Sequence, residues 1–156
     1  MDLKKLNTAV LIGLLASIVF ILLQPLFGMS TLTSRHASAY IESGNYSEIM
    51  AAVLAWAVHI SVSVFYAVLA SVIYNINASY IVSFVQIVVL GWLTTLIATP
   101  ANEWVIKLVT TGQYTAISAL SNVNTDVGPK LWLHIMFFVL VILGLSLARL
   151  VAKKRR

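Results

Sequence analysis

From Ile49 to Asn102 the chain runs without a single Asp, Glu, Lys or Arg. No soluble domain of ordinary composition keeps charge off so long a stretch, and about 20 apolar residues suffice to cross a bilayer as a helix. The run is long enough for two such helices. A break falls at Tyr74-Asn75-Ile76-Asn77-Ala78-Ser79, where two Asn and a Ser favour turns and caps over helix interiors. Two further apolar stretches flank it, Ala9 to Met29 and Leu131 to Ala152, the latter interrupted only by Arg149. The composition agrees: 60% of residues are hydrophobic and 10% charged, against roughly 25% charged in a soluble domain.

These stretches predict an all-α integral membrane four-helix bundle forming a single membrane domain over residues 1–156. Its spans are expected at about 8–28, 50–74, 79–100 and 131–151, with loops at 29–49 and 101–130 and a basic tail at 152–156. Lysine and arginine in short flanks resist translocation. With both termini inside, the inner flanks hold Lys4, Lys5, Arg149, Lys153, Lys154, Arg155 and Arg156, offset by Asp2. The outer segments hold Arg35, Lys107 and Lys130 against Glu42, Glu48, Glu103 and Asp126. The inner side is thus +6 and the outer side −1, which sums to the net +5. The basic excess therefore reads as an N-in, C-in topology signal in the plasma membrane. It does not read as a nucleic-acid surface.

Residues 1–29 also have the outline of a signal peptide. The Ala37-Ser38-Ala39 triplet lies too far beyond the apolar core, however, and the core is long enough to span. In the second loop, Trp104, Val105, Leu108 and Val109 share one helical face and Glu103 and Lys107 another, predicting a short interfacial helix after Pro100. His36, in the first loop, reads as a solvated loop histidine, and Glu103 as an interfacial carboxylate. Gln24 and Gln86 read as formers of interhelical hydrogen bonds.

Polar residues that lipid would reject carry the functional information. His59 is as far in sequence from Tyr74, at the inner end of its helix, as His134 is from Arg149. Both therefore stand roughly 22 Å above the inner boundary, level with Thr94 and Thr95. On the second helix Ala51, Ala55, His59, Ser63, Ala67 and Ser71 recur every fourth residue, a ridge of small side chains that lets helices approach closely. Gly13, Ser17, Gly144 and Ala148 offer matching surfaces, and such ridges also suit a homo-oligomer or a membrane partner. The expected buried polar layer is His59, Ser63, Thr94, Thr95 and His134. Its simplest role is interhelical hydrogen bonding, worth about 0.6 kcal/mol per bond.

Two alternatives use the same residues. Paired imidazoles at one depth are what a b-type haem needs as axial ligands, making His59 and His134 candidate haem ligands in an electron-transfer subunit. A histidine layer also suits small-solute or proton permeation. No metal is expected, because no third ligand joins the pair at that depth. No catalytic motif is present: G-x-S-x-G, H-E-x-x-H and a phosphate-binding Gly-rich loop are all missing from the sequence. The leading expectation is a non-enzymatic membrane protein without a cofactor.

The His-x-x-x-Ser of the second helix (His59, Ser63) is followed by Phe65 and Tyr66. Pro100 stands late in the third helix, and His134 and Arg149 lie at opposite ends of the fourth. Over about residues 50–150 this pattern resembles the YagU-like family of small bacterial inner-membrane proteins. It departs from that family at Ala101-Asn102-Glu103, where the family has glycine soon after the proline. The resemblance implies a four-span inner-membrane protein of a family whose function is unassigned, with a suggested link to acid or envelope stress, and it implies no reaction.

Overall fold

The computed structural model describes residues 2–126 and 128–154. Met1, and Arg155 and Arg156 of the expected basic tail, lie outside the described residues. Five α-helices carry the fold, and no strand occurs among the described residues. Helix α1 (Leu3–Leu23) begins earlier than the apolar run because the Asp2 carboxylate caps it, accepting from the Lys5 N–H at 2.8 Å. It ends where Pro25 opens a single 3-10 turn, Gln24–Phe27, closed by Gly28 at φ 70°.

Helix α2 (Leu32–Gly44) occupies most of the segment expected to be loop. Thr31 caps its start, and Asn45 ends it in the left-handed conformation. Thr33, His36 and Tyr40 lie at i, i+3 and i+7 on one face, and that face is buried. Low mean hydropathy hid the pattern, since a helix lying on the end of a bundle needs only one narrow apolar stripe.

Helix α3 (Glu48–Ile76) is capped by Ser47 and buries the whole small ridge from Ala51 to Ser71. Gly13 of α1 is seated against it: a Cβ there would fall 2.9 Å from Val64 Cα and 3.0 Å from Ala67 Cβ. The ridge is thus buried within the chain. Residues 77–79 then turn the chain, with Asn77 Oδ1 accepting from the Ser79 N–H at 2.9 Å and Ser79 capping the next helix.

Helix α4 (Tyr80–Thr111) passes through Pro100 without ending. The separate short helix expected after Pro100 is not seen, since residues 101–111 continue the same helix. Proline has no N–H for the carbonyl four residues back, which here is that of Leu96. That carbonyl accepts instead from the Asn124 N–H at 2.9 Å, so the following loop closes the gap and the helix continues. Residues 101–111 are also held by α2, since Tyr46 Oη donates to the Val109 carbonyl at 2.8 Å. After a 3-10 turn at Ile117–Ala119, helix α5 (Pro129–Lys154) starts on a proline, whose missing N–H costs nothing at that position.

Helices α1, α3, α4 and α5 are each long and apolar enough to cross a membrane. Side chains such as Leu11, Leu15, Phe65, Phe84, Leu143 and Leu147 stand exposed along them, as lipid-facing residues do. The fold is that of a multi-pass helical bundle. Helix α1 packs against α3 and α5, and α5 against α4, whereas α3 and α4 barely meet. Helix α2 bridges these two at the end away from the termini, here called the distal end. At the terminal end Tyr74 Oη and Ser146 Oγ lie 3.1 Å apart, with the Arg149 guanidinium 6.0 Å from the Tyr74 ring centre.

Candidate functional site

The five residues of the expected polar layer come together in the distal half of the bundle. His59, Ser63, Thr94 and Thr95 are buried, and His134 is half-buried. His59 Nε2 donates to the Ser17 carbonyl at 3.0 Å. A carbonyl can only accept, so this nitrogen carries the proton. The Thr95 hydroxyl donates to the Gly91 carbonyl at 2.8 Å and lies 2.9 Å from His134 Nδ1. With that hydrogen on Gly91, the hydroxyl oxygen is free to accept from His134 Nδ1. Both histidines thereby join neighbouring helices through hydrogen bonds. The Thr94 hydroxyl is buried without a partner.

Phe20 of α1 lies between the two imidazoles. Its ring centre is 5.7 Å from that of His59 and 5.6 Å from that of His134, with interplanar angles of 30° and 25°. A macrocycle bridging the histidines would need this same space, which the Phe20 ring fills. The residues do not fit a haem. Below, Phe137, Phe138 and Tyr66 continue the packing edge to face, forming an aromatic floor toward the terminal half. Among the described residues no three His, Cys, Asp or Glu are grouped as a metal site would require.

Above the layer a cavity of about 580 Å³ opens at the distal end between α2, α4 and α5. Arg35, Lys107 and Lys130 all line it, and these are all of the lysines and arginines between residues 6 and 148. Glu103 also lines it, and its charge is engaged: Oε1 pairs with Lys107 Nζ at 2.8 Å, while Oε2 accepts from the Ser121 N–H and Oγ. Lys107–Glu103 is the one ion pair among the described residues. Three cations against one carboxylate leave the cavity at +2.

His36 faces the same space and is not solvated, contrary to its reading as a loop residue. It is 3% exposed, and neither ring nitrogen makes a hydrogen bond. Burial, the Arg35 guanidinium and His59 push its pKa down to about 4, with the Asn102 side chain opposing the shift. The imidazole is neutral at pH 7. Burial and the neighbouring Tyr46 also raise the Tyr40 phenol above its ordinary value. Gln24 joins α2 to the 3-10 turn, accepting from the Leu32 N–H at 2.6 Å, and Gln86 Nε2 donates to the Ala70 carbonyl of α3 at 2.8 Å.

Beside the cavity a narrower groove of about 110 Å³ runs between α3 and α4. Its walls are mainly apolar, with His59, Ser63, Thr94 and His134 at its base. Phe20 could have been found by the depth count that paired the histidines, since its distance along the chain from Lys5 equals that of His59 from Tyr74. The convergence of the three cations had no counterpart in spacing, because it depends on how α2 and the last loop fold back. No family model, curated protein sequence or solved structure matches this chain.

Proposed function

We propose that the protein is a non-enzymatic multi-pass protein of the plasma membrane, with both termini cytoplasmic, that binds an anionic group in the distal cleft on the outer face. The observation that carries this reading is the convergence of Arg35, Lys107 and Lys130 on one cavity with only Glu103 to offset them. Like charges at a distal end that is otherwise free to spread them are held together most economically by a ligand of opposite sign. An envelope role in acid stress follows from the YagU-like resemblance, and a neutral buried His36 in the cleft suits it. Permeation would require the aromatic floor beneath the histidine layer to open.

Glycerol phosphate, added to the detergent-solubilised full chain, tests the reading by thermal shift. It should raise the midpoint where uncharged glycerol does not, and the effect should fade with salt. Arg35→Gln and Lys130→Gln should each weaken binding about fivefold. An equal response to glycerol, or binding indifferent to both substitutions, sinks the proposal.

A further inference from the structure

Resting on that reading, we infer that the anionic ligand is a phospholipid, with its headgroup in the cationic cleft and one acyl chain in the groove between α3 and α4. Cleft and groove adjoin: Phe20, Leu32, Ala98, Asn102 and His134 line both. A free anion would use only the upper part. The lower part is lined by Val58, Val62, Tyr66, Ile97, Val105 and Phe137, and it presents nothing charged. Above the polar base formed by His59, Ser63 and Thr94, such a surface complements hydrocarbon.

The arrangement also has the polarity of a lipid in the distal leaflet. The head site lies at the distal end, and the apolar groove descends from it toward the middle of the bundle. The groove exists because α3 and α4, although adjacent in sequence, barely meet, and α2 bridges them only at the distal end. Val62 and Ile97 at its margin are exposed, so a chain too long for the groove continues between them into the bilayer. In the head site, neutral His36 has a buried N–H that the Asn102 side chain approaches without closing a full hydrogen bond, and a phosphate oxygen would complete it. Glu103 does not oppose the head, because Lys107 and Ser121 hold its carboxylate. Hydrophobic transfer contributes little here, since the chain leaves one apolar medium for another. The cations therefore supply affinity and the groove supplies orientation.

Photo-crosslinking tests this directly. The detergent-solubilised full chain is irradiated with trace phosphatidylglycerol bearing a diazirine on its acyl chain, and labelled peptides are mapped. A phosphatidylcholine analogue serves as control, with glycerol phosphate as competitor. Tethering by the head should enrich label on residues 58–66 and 94–105 about tenfold over other lipid-facing segments. The enrichment should vanish with the phosphatidylcholine probe and fall as glycerol phosphate is added. Ala101→Phe and Val62→Trp fill the groove from exposed positions on opposite walls. Each should cut groove labelling while glycerol phosphate binding stays within about twofold of the parent value. Label spread evenly over the helices, with glycerol phosphate binding intact, overturns the lipid and leaves the anion site standing. Loss of both overturns both.

Discussion

The His36 imidazole is buried beside Arg35, and its pKa is pushed down to about 4 from an ordinary 6.5. Its linkage to stability has a definite sign. In the unfolded chain the ring gains a proton near pH 6.5, whereas in the folded chain it does so only near 4. Between these values the unfolded state holds more protons, so folding weakens as pH falls from 6.5 to 4 and levels off below. The groups facing His36 are Arg35 and Tyr40 on its own helix, His59 from α3, Asn102 from α4 and, across the cleft, Glu103, Lys107 and Lys130; the one carboxylate, Glu103, is paired with Lys107 and does not reverse the sign. His36→Gln removes the titrating group and keeps a polar side chain. Midpoints of thermal unfolding at pH 7.5 and 4.5 should therefore fall further in the parent than in this variant. Equal losses would mean that the acid response resides elsewhere. The effect belongs to the seat of α2, and with it to the cleft that α2 walls.

Pro100 and the loop after α4 depend on each other at the scale of the element. The proline strands the Leu96 carbonyl, the Asn124 N–H satisfies it, and Glu103 one turn further on holds Ser121 of the same loop. Pro100→Ala restores the helical N–H and makes Asn124 redundant. Amide hydrogen exchange should then quicken across residues 120–126 while α4 around Leu96 becomes better protected. Unchanged exchange in the loop would show that Glu103 alone secures it. The same coupling explains why the sequence misleads here. A proline near the end of an apolar run reads locally as a stop, and the partner that allows helix to continue, Asn124, lies in a loop beyond the end of α4. The first loop misled differently: its polarity was legible, but the burial of Thr33, His36 and Tyr40 depends on α3 and α4 lying beneath it. The long helices and the small ridge of α3 were legible because charge-free length and four-residue spacing are local properties. Equal depth brought the histidines together, and Phe20 escaped notice because apolar residues are unremarkable in a span.

The placement of charge governs the whole molecule in two ways. Basic residues crowd the terminal end, with Lys4 and Lys5 on α1 and Arg149, Lys153 and Lys154 on α5, while the three distal ones are gathered into a single cleft. In the proposed topology the first asymmetry is what retains the terminal end in the cytoplasm. In that topology the cleft formed by the second faces the outer leaflet, so the topology decides which lipids it meets. The chain has no cysteine, and single cysteines can therefore be introduced without background. Gln113 is exposed in the distal loop and Ala152 at the terminal end. In intact cells a membrane-impermeant maleimide should label Gln113→Cys and spare Ala152→Cys, and after lysis it should label both. The opposite pattern would invert the protein. The cleft would then face the cytoplasmic leaflet, and the lipid would be drawn from the pool of anionic headgroups on that side. In either orientation the head lies beside Arg35 and Lys130 and the chain between α3 and α4, so the maleimide experiment separates where the site faces from what the site binds.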